Sequence, residues 1–240
     1  MVTHSELYAH LVGKKHVTTI DLSDSFFQIP LEEKSQPLTA FYSPSHGKRY
    51  CFRRAPQGLR NSPLYLKLLM DKLFGDMALD VIHYADDIML ATNGSLSEHL
   101  QKLVTVLKRL KDGNIKVRPS KVNVARKTIE FLGVVWKKDT ISIPEAKTLA
   151  FKKLPSPNTP KRAKSVICAL AYYRKFIPNF ADLARPIMDL TVLHPKEFKW
   201  TSDHENRFRR LIKSMCDHST LYLPDPSKQY FVQTDASNYC

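Results

Sequence analysis

The sequence predicts an α+β fold, and three observations carry that prediction. Strand-like runs rich in β-branched residues come in pairs separated by turn residues, which is a hairpin pattern and not a strand–helix–strand winding. Amphipathic stretches with capping signals lie between those pairs. Past the proline-rich joint Leu154-Pro155-Ser156-Pro157-Asn158-Thr159-Pro160 the pattern turns mostly helical. The 240 residues suffice for one large or two modest domains, and a hydrophobic content of 43% supplies a core.

The elements follow in order. Residues 5–11 read as a short helix closed by Gly13. Residues 17–22 form an apolar, β-branched strand ending in the carboxylate of Asp21. Residues 37–42 and 49–52 pair as a hairpin around Ser43-Pro44-Ser45-His46-Gly47. Ser62-Pro63 opens a helix, with Ser62 as cap and Pro63 as first residue. That helix carries Leu64, Leu68, Leu69, Leu73 and Met77 and runs to about Met77. Residues 79–83 and 88–91 are strands flanking Tyr84-Ala85-Asp86-Asp87. Ser95 or Ser97 starts a helix whose stripe includes Leu100, Leu103, Val104, Leu107 and Leu110, and Gly113 ends it. Residues 129–135 and 140–143 form another hairpin around Lys137-Lys138-Asp139. Helices are expected at 161–176 and 180–190, broken by Pro178, and at 202–216. The pattern becomes strand-like again at 229–234, just before Asp235, which predicts a further domain past this point.

Charge and cysteines narrow the function. The formal net charge of +14 points to a polyanionic partner, most simply nucleic acid. Cys51, Cys168, Cys216 and Cys240 are widely spaced, so neither a zinc ribbon nor a disulfide framework is supported. His194, His204, Cys216 and His218 have no compact metal-ligand spacing. A reducing setting is the simplest fit. No segment has the roughly 20 apolar residues of a membrane span.

The chemistry concentrates at Asp86-Asp87. Two adjacent carboxylates at a tight turn repel each other unless water or a cation neutralises them. Mg²⁺ suits them, because it takes hard oxygen ligands and needs few from protein. A solvated Asp-Asp turn is the alternative. The strand ending in Asp21 adds a third carboxylate, and strands that end in carboxylates can converge on a metal pair that clamps an in-line phosphoryl displacement. Asp24, three residues past Asp21, reads as a cap or a solvated residue. No Gly-x-x-x-x-Gly-Lys loop is present, which argues against a Walker-type nucleotidase.

Six landmarks now fall in one order. Tyr84-Ala85-Asp86-Asp87 resembles the Tyr-x-Asp-Asp box of reverse transcriptases. The run Asp21-Leu22-Ser23-Asp24-Ser25-Phe26-Phe27-Gln28-Ile29-Pro30-Leu31 resembles their first catalytic motif. Ala55-Pro56-Gln57-Gly58-Leu59-Arg60-Asn61-Ser62-Pro63 is similar to the segment facing the incoming nucleotide, and Phe131-Leu132-Gly133 to the primer grip. Tyr172-Tyr173-Arg174-Lys175-Phe176-Ile177 resembles the thumb. The stretch from Pro224-Asp225 to Thr234-Asp235-Ala236-Ser237 resembles the connection and the start of a ribonuclease H domain. The pattern is nearest to pol polyproteins of LTR retroelements, either Ty3/gypsy-like retrotransposons or retroviruses.

The resemblance implies a right-hand polymerase: palm with partial fingers at 1–148, thumb at 149–193, connection at 194–228, and the first strand of a ribonuclease H-like domain at 229–240. It implies RNA-directed DNA polymerase activity on an RNA or DNA template–primer duplex with deoxynucleotide triphosphates. Asp21 and Asp86 would bridge two Mg²⁺ ions, with Mn²⁺ as a substitute, and Asp87 would support the site. The Leu22 carbonyl would be a further ligand. Phe26 would pack under the sugar and exclude a 2′-hydroxyl. If the segment is extended, Phe26 and Phe27 point to opposite faces. Gln57 and Gly58 would meet the nucleotide, and Tyr84, Phe131, Leu132 and Gly133 the primer. Lys48, Arg49, Arg53 and Arg54 fall near the nucleotide side, and Lys161, Arg162, Lys164, Arg174 and Lys175 on the thumb. Protease, ribonuclease H and integrase would share the polyprotein, with no membrane partner. Family habit implies virus-like particles in the cytoplasm with later access to the nucleus. The upstream fingers strands and the later ribonuclease H carboxylates are expected to lie outside these residues. Two other readings stay open: a catalytically inactive remnant that still binds nucleic acid, and a different two-metal enzyme such as a nuclease or cyclase, against which Phe26 and the Gln57-Gly58 loop count.

Overall fold

The computed structural model describes residues 4–225 and 228–234. The chain divides into two compact units, residues 1–129 with 224–240, and residues 130–223.

The first unit opens with helix α1 (His4–Leu11), followed by Gly13 at φ 69°. Strand β1 (His16–Asp21) comes next, then the short hairpin β2 (Phe41–Ser43) and β3 (Lys48–Tyr50). Helix α2 (Ser62–Phe74), strands β4 (Val81–Tyr84) and β5 (Asp87–Thr92), helix α3 (Leu96–Asp112) and strand β6 (Asn123–Arg126) complete it. The strands β4-β5-β1-β6 form one sheet, with β5 antiparallel to both β4 and β1. Ile20 and Leu22 from the β1 segment and Ile88 and Leu90 from β5 join one buried cluster. Leu66, Met70 and Phe74 of α2 and Leu103, Val106 and Leu110 of α3 complete it. Burial at this level contributes roughly 1.5–3 kcal/mol for each large apolar side chain. Strand β5 is buried at every residue from Ile88 to Thr92, so the edge of the hairpin that carries the carboxylates is rooted in the core.

Strand β7 (Thr128–Phe131) leads into the second unit, followed by β8 (Val134–Lys137) and β9 (Thr140–Ser142). Helices α4 (Glu145–Lys152), α5 (Pro160–Tyr172), α6 (Phe180–Asp189) and α7 (Ser202–Asp217) follow, then strand β10 (Thr220–Tyr222). The sheet order is β10-β9-β8-β7. Thr159 and Thr201 cap α5 and α7 by accepting from Arg162 N and His204 N. No described helix is long and apolar enough to cross a membrane.

Several expectations are corrected. Ser62 is not the cap of α2; Asn61 holds that position without a side-chain bond, and Ser62 is buried inside the first turn. The buried stripe of α2 is Leu66, Met70 and Phe74, while Leu64 and Leu68 are more than half exposed. Residues 37–39 lie in a 3-10 turn over Glu33–Thr39, where Pro37 cannot donate to a strand ladder. The single strand expected at 129–135 is two, parted by a turn at Leu132-Gly133. Residues 25–28 form a 3-10 turn instead of an extended run, so Phe26 and Phe27 do not alternate across a sheet. Residues 229–234 carry no regular structure, and Tyr230, Phe231 and Val232 are exposed, since no described strand pairs with them. Asp235 lies outside the described residues.

Candidate active site

The register of β1 on β5 places Asp21 directly opposite Asp87. The β4–β5 hairpin pairs Tyr84 with Asp87, so Ala85 and Asp86 form its two-residue turn. Ala85 carries φ 51°, the positive value that a hairpin turn of matching twist needs at its first central position. A non-glycine residue held there costs of order 1–3 kcal/mol, offset by the buried strands on either side. Leu22 N donates to Asp86 O at 2.9 Å, which ties the turn to the end of β1. Three carboxylates thus come together at one sheet end: Asp86 exposed, Asp87 half-buried, and Asp21 with a side chain 20% exposed.

Their mutual charge is visible in Asp87. Burial pushes its carboxyl above the ordinary range, and Asp86 and Asp21 push it further, while Lys121 acts the other way. Asp21 faces cations: Lys121 Nζ lies 3.4 Å from Oδ2, and Arg118 Nε 3.9 Å from Oδ1. Solvent-facing pairs of this kind contribute at most about 1 kcal/mol each.

Asp21 and Asp86 line a cleft of about 160 Å³ with Leu22, Asp24, Phe26, Phe27, Gln57, Arg118 and Lys121. Leu22 lines the cleft while the residue as a whole is 1% exposed and belongs to the buried cluster. Phe26 packs against the buried cluster as well as lining the cleft, and Phe27 meets Phe52 in a tilted ring pair at 6.1 Å. Asp24 sits at φ 47° before the 3-10 turn and makes no capping bond with its side chain. Gly58 has φ 93°, a conformation that excludes most side chains, and an added Cβ there would meet nothing within 4 Å. Its glycine therefore serves the backbone's path, with no protein atom crowding it.

Tyr84 is half-buried beside Asp87. Phe131 is 5% exposed and belongs to the core of the second unit, so the turn after it presents Leu132 and Gly133. Each belongs to its own unit: the carboxylates, Phe26 and the Gln57-Gly58 loop to the first, Phe131 to Gly133 to the second.

Sequence reasoning missed two residues that line the cleft and one that braces it. Arg118 and Lys121 arrive through a bridge of Leu22 to Val117, with Arg118 N donating to Asp21 O at 2.9 Å. Gln28 cross-braces the same corner: Nε2 donates to Ser23 O and Lys116 O, and Oε1 accepts from Lys116 N. The polar run at 116–121 offers no local signal, because only tertiary pairing brings it to Asp21.

Among the described residues no three His, Cys, Asp or Glu side chains close on one point as a ready metal cage. The donor set nonetheless fits Mg²⁺, which is commonly held by one or two carboxylates with substrate phosphates and water completing the shell. Asp21 and Asp86 on one cleft are such a set.

Comparison with known proteins identifies the family. Residues 2–136 match the family described as "Reverse transcriptase (RNA-dependent DNA polymerase)", and residues 200–240 match "RNase H-like domain found in reverse transcriptase". The Pol polyprotein of transposon 297 from Drosophila melanogaster is 32% identical over 97% of this chain, and that of transposon gypsy 32% identical over 96%. The chain spans 22% and 23% of those polyproteins. A foamy viral protease–reverse transcriptase solved in complex with double-stranded DNA superposes with a TM-score of 0.80 at 29% identity, covering 90% of this chain and 38% of that one. The same viral enzyme with an RNA/DNA hybrid also gives 0.80, at 28% identity, over 95% of this chain and 31% of that one. A palm-type α+β fold and a family pattern over more than half the residues converge: this chain belongs to the reverse transcriptase family.

Proposed function

We propose that this chain supplies the polymerase core of an RNA-directed DNA polymerase, which adds deoxynucleotides to a primer 3′ end on an RNA or DNA template. The observation that carries this reading is the β1–β5 register, which sets Asp21 against Asp87 with Asp86 on the adjoining turn. In this reading residues 1–148 are palm with partial fingers, 149–193 thumb, 194–228 connection and 229–240 the start of a ribonuclease H-like domain.

The reaction is attack of the primer 3′-oxygen on the α-phosphorus, with pyrophosphate leaving. Two Mg²⁺ ions, or Mn²⁺ in their place, would supply a lowered pKa for the attacking hydroxyl and charge neutralisation on the leaving group. Asp21, Asp86 and the Leu22 carbonyl would hold them. The chain's own contribution is positioning, fixed before substrate arrives by the sheet register. Asp87, half-buried between Asp21 and Tyr84, would keep negative charge beside the primer end. Phe26, wedged between core and cleft, would close the space under C2′ of the sugar and so favour deoxynucleotides. Gln57 would bond the nucleotide, and Gly58 would let the backbone pass close by. Lys121 and Arg118 bring positive charge to where a triphosphate would lie. Tyr84 and the Leu132-Gly133 turn would meet the primer.

Primer extension on an RNA template with a DNA primer tests the reading, comparing dNTPs with rNTPs in Mg²⁺. The expected outcome is extension that needs dNTPs and falls by at least about 10³-fold in the Asp86→Asn, Asp87→Asn variant, as when charge-stabilising groups are removed. Duplex binding without extension, unchanged when a relative's fingers segment is fused ahead of Met1, would instead establish an inactive nucleic-acid-binding remnant.

A further inference from the structure

Two consecutive tyrosines in the second unit grip one turn. Strands β7 and β8 are joined by Leu132 and Gly133 at φ 46° and 69°. Two consecutive positive values make a type I′ hairpin, a natural place for Gly133 and a rare one for leucine. Such a turn leaves the carbonyls of its two central residues facing away from the hairpin ladder. Tyr172 Oη donates to Leu132 O, and Tyr173 Oη donates to Gly133 O at 3.1 Å. Each carbonyl therefore has its own phenol.

The phenols are themselves fixed. The two rings meet edge-on at 4.9 Å. Tyr173 is 5% exposed and sits between Phe151 and Phe176. Burial pushes its hydroxyl upward, with Tyr172 and Glu130 adding to the shift, so it stays a donor at neutral pH. A Cβ on Gly133 would lie 3.2 Å from Tyr172 Oη and 3.5 Å from Tyr173 Oη, so the clamp leaves that residue little room for a side chain. Phe131 and Val134, both buried, pin the strands on either side.

We propose that Tyr172 and Tyr173 are positioning residues that lock the Leu132-Gly133 turn and thereby set where the primer 3′ end rests. The proposal depends on the reading above that this turn meets the primer. It makes the end of helix α5 the template for the turn's shape: the phenols act through the backbone and never touch the reacting atoms.

The test uses the full chain with Tyr172→Phe, Tyr173→Phe and the double substitution, which keep the rings and remove only the hydroxyls. The probe is an RNA template–DNA primer duplex carrying 2-aminopurine at the primer 3′ terminus. Fluorescence anisotropy gives the duplex Kd, 2-aminopurine emission reports the terminal base, and thermal unfolding reports the fold. Because phosphate contacts carry most of the affinity, the double variant is expected to keep Kd within about twofold while losing about half or more of the terminal-base signal. Leu132→Ala separates the two levels of the argument. An unchanged signal in Leu132→Ala would show that the turn does not meet the primer, and the underlying reading fails. A signal altered in Leu132→Ala but intact in the Tyr→Phe variants overturns the clamp alone. A parallel fall in affinity, signal and Tm in the Tyr→Phe variants would make the hydroxyls merely structural and also overturn it.

Discussion

His99 has no exposed surface, yet both ring nitrogens are bonded. Thr18 Oγ1 of β1 lies 2.7 Å from Nε2, and Thr92 Oγ1 of β5 lies 2.8 Å from Nδ1. One helix residue thereby stitches two adjacent strands at the end of the sheet away from the carboxylates. Burial holds the ring below the ordinary histidine value. His16 and Lys102 reinforce that direction, and Asp80 opposes it. The folded pKa is thus the lower one, so the unfolded chain binds more protons as pH falls. The stability His99 provides is complete above about pH 6.5 and is lost progressively below it, as pH falls through the ring's lower folded pKa. His10 and His83 shift the same way, both through burial first, so the whole chain is expected to lose stability on mild acidification. Urea unfolding at pH 7.5 and 5.5 checks this: the drop should shrink in His99→Gln, which cannot take up the proton. At pH 7.5, His99→Ala is expected to cost about 2–4 kcal/mol, by cavity formation and the orphaned Thr92 hydroxyl, while Thr18 Oγ1 keeps its bond from Ala125 N.

Helix α3 shows what an element's sequence reveals and what it hides. Its ends are legible. Ser95 Oγ accepts from Glu98 N while Glu98 Oε2 accepts from Ser95 N, and Gly113 follows the last turn. Ser95→Ala is expected to lower stability by about 1 kcal/mol, measured by chemical denaturation. Its buried face is less legible. The helix is apolar on two sides, and packing chose His99, Leu103, Val106 and Leu110, leaving Leu96, Leu100, Val104 and Leu107 exposed. A stripe read by periodicity alone merges those sides, and α2 fails the same way with Leu64 and Leu68. The choice has a measurable consequence: Leu103→Ala should cost about 2–4 kcal/mol, whereas Val104→Ala should stay within about 0.5 kcal/mol. The split of residues 129–135 into two strands was likewise hidden, because Leu132 gives no hint of positive φ. Its phenol partners stand forty positions away.

At the scale of the molecule, charge and topology divide the work. The net charge of +14 predicts that affinity for a template–primer duplex falls linearly on a log–log plot against salt concentration. Replacing exposed Lys161, Arg162 and Lys164 of α5 with glutamine is expected to flatten that slope by about 0.9 for each phosphate no longer neutralised, as read by anisotropy across a KCl series. The carboxylates of the cleft were legible because strand ends and turns have strong local signatures. Arg118 and Lys121 were not, since they reach Asp21 only through the Leu22–Val117 bridge, and Gln28 was not, since its partner Lys116 stands 88 positions away. The register of Asp21 on Asp87 has a consequence for descent. The pairing of β1 with β5 fixes that geometry by itself, so an exposed turn such as the one joining β2 to β3 can gain or lose residues without moving one acid past the other. A single residue inserted within either strand would instead turn its whole side-chain set over. Lineages built on this core can therefore remodel their loops generously, while the two strands keep their length.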